Sequence, residues 1–364
     1  MKYEKEELNC VELEISEPII TTYTHHAHLL SILGCYPQTY PWIYSNYIQV
    51  YINKDYLKHS WGDFYFPFPY ELWPADTCKW LFISKVSRNS FDGEKNLIDF
   101  IFKALEDKNY VTVGLNHSYL TRVSDLMEHH DTLIHGIDMV NKTLCVSDFF
   151  QYGKYKREKI TFSEFFDAFY NYEDNHKDGR IMIYLYKFYA ECDYEFSIAN
   201  IENSIYSYMK NKTPEYWTMY NNANRNNIVF GREIYNTLLS LIDQTELQEE
   251  YIEVIPFYLC LDHKRMMLKR FCYLEKLECY KPFSFEEIIK MMEEIIQKSE
   301  NVVNLLIKYD LSKKTTILSR VKTILLEVMQ MEFDVLKNYK EKFIYISDES
   351  PMPVMVNGNI SNQE

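Results

Sequence analysis

Apolar, β-prone residues gather in Val111–Leu115, around Leu133–Val140 and in Leu144–Val146. With Asn141–Lys142 as a turn between the last two runs, this pattern predicts a strand followed by a hairpin. Upstream, VELEISEPII at Val11–Ile20 is strand-like, and an apolar run around Ala27–Leu33 is helix-like, stopped by Gly34 and Pro37. Ser90–Lys108 has the spacing of an amphipathic helix behind a serine cap. After Asp148, KITFSEFFDAFYNY predicts a β-like stretch and a short helix from Ser163, and Arg180–Phe188 a further strand. Between Ile43 and Trp80 the chain is dense in aromatics, and Pro67, Pro69 and Pro74 exclude a long regular element there. Those rings either cover the core or line a channel for an acyl or aryl chain.

From about Tyr194 the apolar spacing becomes helical. Helices are predicted over Ser197–Lys210, Ile228–Asp243, Glu249–Cys279, Ser284–Lys308 and Thr315–Leu336, with Ser284 and Glu287 spaced as a capping box. Ile288, Met291, Met292, Ile295 and Ile296 repeat at helical spacing and predict a core stripe. At 364 residues the chain exceeds what one core usually supports. The expected class is α+β: an α+β domain over 1–192, an all-α domain over 193–345 and a flexible tail over 346–364.

Composition narrows the classes of function. An apolar fraction of 47% with few Gly and Pro argues for a folded globular protein. A net charge of −14 and a pI near 5.3 oppose broad affinity for nucleic acid or anionic membrane, and there is no basic block to offset them. The opening MKYEKEELNCVELE is too charged for a signal peptide, and no apolar run reaches the roughly 18 residues of a membrane span, so a cytoplasmic protein is expected. None of the eight cysteines forms a Cys-x-x-Cys pair, which predicts free thiols. His25 and His28 would share a helix face, but no companion ligands accompany them and no metal is expected.

The candidate chemistry lies in the hairpin. His135 stands near the start of its first strand and Asp148 at the end of its second, so a tight turn would return the two alongside one another. A histidine held by a carboxylate is the base half of a nucleophilic triad. The plain alternative is that a His and an Asp flank this hairpin by chance.

LNHSYL at Leu115–Leu120, then His135 with Gly136 and Asp138, then Asp148 resemble the butirosin-biosynthesis acyltransferase family (butirosin biosynthesis protein H, N-terminal domain), a papain-like group that works with carrier proteins. FGREIYNTLLSLI resembles the helix start that follows that domain in the same family. Asn116 stands where the family usually has Asp, which keeps hydrogen bonding and removes a charge. The resemblance implies a papain-like domain with an antiparallel sheet and a nucleophile-bearing helix, followed by helices. It implies transfer of an acyl or peptidyl group from a carrier-protein thioester to a small amine. No cofactor beyond the carrier's phosphopantetheine is implied, and His25, His26, Asn116, His117 and Tyr119 would face substrate.

Setting Leu29 and Leu33 on the family's helix pattern puts Thr24 at the nucleophile position. An alcohol there is far less acidic than a thiol, and Thr is also a common N-cap. Cys35 is the nearest thiol, but it follows Gly34 at the helix end where the dipole raises a thiol pKa. Without a thiol, His135 would deprotonate the amine directly. A hydrolase using water and a catalytically inactive binding protein of the same fold are the alternatives. The helical half would close the cleft, form a homodimer or receive the carrier. Lys264, Arg265, Lys269 and Arg270 would either meet the carrier and its phosphate or form a solvated face.

Overall fold

The computed structural model describes residues 9–58, 60–66, 74–121, 129–150, 154–172, 182–212, 227–248, 251–280, 284–343, 355–356 and 359–360. The chain divides into two compact units, one of residues 1–39 with 72–193 and the other of 40–71 with 194–364. The sequence reading instead placed all of 1–192 in one domain. The first unit opens with β1 (Cys10–Glu12) and α1 (Thr24–Leu33). The second then takes α2 (Tyr40–Ser45), β2 (Val50–Asn53) and β3 (Gly62–Phe64). The first resumes through β4 (Leu81–Ser87), α3 (Glu94–Glu106), β5 (Asn109–Asn116), β6 (His129–Asp138), β7 (Thr143–Phe149), β8 (Tyr155–Thr161), α4 (Phe162–Tyr170) and β9 (Met182–Phe188). The second closes with α5 (Ile198–Met209), β10 (Ile228–Phe230), α6 (Ile234–Gln248), α7 (Ile255–Leu274), α8 (Glu286–Ser312), α9 (Thr315–Phe343) and the short pair β11 (Met355–Val356) and β12 (Asn359–Ile360).

The first unit is a mixed α/β structure on one antiparallel sheet, ordered β4-β9-β5-β6-β7-β8, with β1 also pairing β6. Directly opposed residues in an antiparallel ladder share a face. Val111, Val113, Leu115, Ile134 and Val146 therefore form one face, packed with Leu97 and Ile101 of α3 and with Phe165 and Phe169 of α4. Thr112 lies opposite Tyr184, Tyr110 opposite Tyr186 and Gly114 opposite Asp131, so these alternate residues form the other face. The helix packed there is α1. Its N-cap is Tyr23, in extended conformation, and Thr24 is its first helical residue. The start of α4 is fixed by Thr161, whose hydroxyl accepts from the Glu164 N–H while the Glu164 carboxylate accepts from the Thr161 N–H. The expected start at Ser163 is thus one residue inside the helix.

In the second unit β2 lies between β3 and β10. The helix predicted from Ile228 begins later, because Ile228–Phe230 pairs with Tyr51–Asn53, and Gly231, at φ 62°, turns the chain into α6. Pro67 and Pro69 of the expected aromatic arm lie outside the described residues, as does the expected tail over 346–364 apart from β11 and β12.

The expected basic cluster is divided between surface and core: Lys269 is exposed and Arg265 half-buried. Lys264 and Arg270 are fully buried. The Lys264 ammonium donates to Glu332, to the Tyr208 hydroxyl (3.1 Å) and to His263 Nδ1 (3.0 Å), which uses all three of its N–H groups. Glu332 also accepts from Tyr208 (2.9 Å) and Tyr235 (2.8 Å), and His263 Nε2 donates to the Ile48 carbonyl at 2.9 Å. Arg270 donates to the carbonyls of Tyr44 (2.8 Å) and Asn46 (2.5 Å), and Arg265 pairs with Asp262 and Glu300. Among the described residues, no helix is long and apolar enough to cross a membrane.

Removing the lysine would strand the Glu332 carboxylate in the interior. Lys264→Met is expected to destabilise the protein by about 3–5 kcal/mol, the usual cost of breaking a buried ion pair from one side. Urea unfolding followed by circular dichroism measures this.

Candidate functional site

The hairpin geometry decides which histidine meets Asp148. A two-residue turn at Asn141–Lys142 would set Asp148 opposite His135. The observed ladder closes at Asp138 opposite Thr143, leaving a four-residue loop. Asp138 holds that loop: its carboxylate accepts from the N–H groups of Val140 (3.0 Å) and Asn141 (2.9 Å) and from the Asn141 side chain (2.7 Å). Lys142 completes it at a φ of 52°. The register then shifts once more between Ile134 and Gly136, where His135 is a bulge residue whose carbonyl accepts from the Leu13 N–H at 2.7 Å. Leu133 therefore faces Ser147, and the next position along puts Thr132 across from Asp148.

Asp148 is fully buried and both of its oxygens are occupied. Oδ1 accepts from His130 Nδ1 (2.5 Å) and the Phe149 N–H (2.7 Å). Oδ2 accepts from the Thr132 hydroxyl at 2.6 Å and lies 3.2 Å from His117 Nε2, which is also 3.0 Å from Thr132 Oγ1. Burial opposes ionisation of this carboxyl, but the charges of His130 and His117 and their hydrogen bonds outweigh it and hold the group well below the usual carboxylate range. An ionised Asp148 requires His130 to carry its proton on Nδ1, which assigns base chemistry to Nε2. The His130 side chain keeps 20% of its surface in solvent, so the ring links a buried anion to the outside. Its edge meets the Phe149 ring at 5.6 Å, and His117 stacks on Phe150.

The expected His135–Asp148 pair is therefore not made. His135 is buried; burial first, and then the Arg157 charge, push its pKa down to about 4. The strand opens not at Leu133 but at His129, so the histidine position that begins the hairpin belongs to His129–His130. That is the signal the sequence offered: two consecutive histidines just ahead of the apolar run.

The other candidates scatter. Thr24 opens α1, on the sheet face opposite Thr132 and Asp148. Cys35 lies past the other end of that helix, where its Sγ contacts the Ser31 carbonyl at 3.5 Å, and burial pushes its thiol pKa up. His26 is buried in α1. His25 lines a cavity beside His28. Asn116 is a turn residue, accepting from the Ser118 N–H and donating to the Asn171 carbonyl, both at 3.0 Å. His117 belongs to the Asp148 cluster, and the Tyr119 ring is exposed.

His117, His130 and Asp148 each offer a metal-ligand atom, all within 4.8 Å of one another. As arranged, the carboxylate oxygens are filled by hydrogen-bond donors, and His130 Nδ1 stands at hydrogen-bond distance with its proton toward Oδ1. A metal would have to displace those protons, so the geometry fits proton transfer better than coordination. No family model and no curated protein sequence matches the chain.

His28 shares the low pKa of His135, about 4, with burial the largest cause. Unfolded, both return to the ordinary value near 6.5. Their contribution to stability is full above that value and is lost as pH falls through about 4, because the unfolded chain takes up protons that the folded one refuses. Unfolding free energy is expected to drop by up to about 3 kcal/mol per histidine across that window. His135→Gln should flatten the profile in pH-dependent urea titrations.

Proposed function

We propose that the first unit is a papain-like acyl-transfer unit that moves an acyl or peptidyl group from a carrier-protein thioester to an amine. His130 is its general base and Asp148 the carboxylate that orients it. The observation that carries this reading is the His130 Nδ1–Asp148 Oδ1 bond of 2.5 Å, from a partly exposed ring to a fully buried carboxylate. The family resemblance of the Leu115–Asp148 stretch supports the substrate class, with His130 taking the role first read onto His135.

Transfer is direct in this reading. As the amine nitrogen attacks the thioester carbonyl, His130 Nε2 takes the N–H proton and Asp148 stabilises the imidazolium that forms. The tetrahedral adduct then collapses, the C–S bond breaks and the departing thiolate takes the proton back from His130. No acyl-enzyme forms in this reading: the Cys35 thiol, past the far end of α1, has its pKa raised by burial, and Thr24 at the helix start offers only a weakly acidic alcohol. A thioester is activated enough for this route when both partners are held in line.

A thioester-to-amine transfer assay with short acyl-thioester mimics tests the proposal. His130→Ala and Asp148→Asn should lower the rate by about 10²–10⁴-fold, the usual worth of a positioned base. Thr24→Ala and Cys35→Ala should retain it, and intact-mass spectra should show no acyl adduct. An adduct lost in Thr24→Ala or Cys35→Ala would overturn direct transfer. Transfer that survives in both His130→Ala and Asp148→Asn would overturn the site.

A further inference from the structure

Strand β8 is an edge of the larger sheet, paired with β7 on one side. On it or just before it stand four exposed cations, Lys154, Lys156, Arg157 and Lys159, in a chain whose net charge is −14. The plain account of such a strand is protection, since charged side chains on an edge discourage pairing with another chain. Edge protection would use all four alike.

Strand register instead divides them. Cross-strand partners share a face. Arg157 lies opposite Ser147 and Lys159 opposite Cys145, on the side away from the Asp148 carboxylate. Both are committed there: the Arg157 guanidinium donates to the Ile15 carbonyl at 2.8 Å and pairs with Glu17 at 3.2 Å, and Lys159 is likewise engaged. Lys156 lies directly opposite Asp148, and Lys154 opposite Phe150, whose N–H donates to the Lys154 carbonyl at 3.1 Å. Neither of these two ammonium groups makes an ion pair among the described residues. Asp148 does not consume Lys156, although it lies across the ladder, because both of its oxygens are filled from His130, Thr132, His117 and the Phe149 N–H. Glu158, the next residue on that face, is half-buried and already engaged.

The two lysines flank the base. Phe150, between Lys154 and β6, stacks on His117, and the His117 ring lies 5.3 Å from that of His130. From β8 across β7 to β6 is two strand spacings, about 10 Å, and a lysine side chain leaning inward narrows that gap. An anion held by the pair would sit a few carbons from a group reacting at His130 Nε2.

We propose that Lys154 and Lys156 form an anion-binding rim beside His130, holding a carboxylate or phosphate carried by the substrate. Calling the anion part of a substrate rests on the transfer reading above; its binding does not. Ammonium groups with no ion-pair partner supply the charge-assisted hydrogen bonds that either anion takes. In a strongly acidic chain they also give an anionic substrate a local attractive field beside the base.

NMR titrations of the full chain at fixed ionic strength decide the matter, with glutarate, inorganic phosphate and the neutral 1,5-pentanediol as probes. At least one anion is expected to bind tenfold or more tightly than the diol and to shift the His130 ring signals, assigned by comparison with His130→Gln. That preference should vanish in Lys154→Gln/Lys156→Gln and persist in Arg157→Gln/Lys159→Gln, which removes the same charge from the opposite face. Glutarate as the tighter ligand assigns the anion to a carboxylate on the acyl group, and phosphate assigns it to the carrier's arm. Thermal melts of each variant check folding. None of these readouts needs turnover, so a failed transfer reaction and a failed rim are told apart. Equal affinity for anions and diol would overturn the proposal, as would a preference that survives in Lys154→Gln/Lys156→Gln, one lost equally in Arg157→Gln/Lys159→Gln, or anion binding that leaves His130 unmoved.

Discussion

A carboxylate shut away from water must be given donors or it unmakes the fold around it. Burying an unpaired charge costs several kcal/mol, which is a large share of the net stability of a domain. Asp148 meets that demand with donors from three places: His130 and Thr132 on β6, the Phe149 N–H on its own strand, and His117 just past β5. The carboxylate therefore ties three successive stretches of chain to one register. A one-residue slip of β6 would carry Thr132 and His130 to the wrong face and leave the charge bare. Stability and candidate chemistry share a single anchor, because the same bond that satisfies the carboxylate orients the imidazole.

Alternation alone made the hairpin legible, and helical spacing located the long helices of the second unit. The pairing across the hairpin was not legible, because it turns on how many residues the loop spends. Asp138 stabilises a four-residue loop where a two-residue turn fits the pattern equally well, and the bulge at His135 adds a further step. Together these move the partner of Asp148 from His135 to Thr132, with His130 beside it. The basic cluster was misread for a similar reason. Lys264 looks like a surface residue until Glu332, far along the chain, is brought to it. Nor could local pattern show that Ile228–Phe230 is a strand, since its partner is Tyr51–Asn53. The last two misses are long-range pairings that short-range propensity cannot see.

Strand β6 serves both sides of its sheet. Its even positions, 130 and 132, meet the Asp148 carboxylate among the residues that pack on α3 and α4. Its odd position 131 closes the cavity under α1. Period-two geometry lets neighbouring residues in one sequence carry different tasks without competing for space. His28 shows how tightly that second face is held, with each ring nitrogen committed to a different strand.

The placement of residues 40–71 in the second unit has a consequence for biogenesis. β2 leaves the ribosome well before β10, the strand that pairs with it, and residues 72–193 of the first unit are made in between. Until β10 arrives, one side of β2 shows unpaired N–H and C=O groups beside the apolar Val50 and Ile52, a ready template for pairing with another chain. The first unit can complete its sheet while this excursion waits. A fragment ending at residue 193 would keep that edge permanently bare, so cutting the chain between its units yields a sticky piece rather than an independent domain.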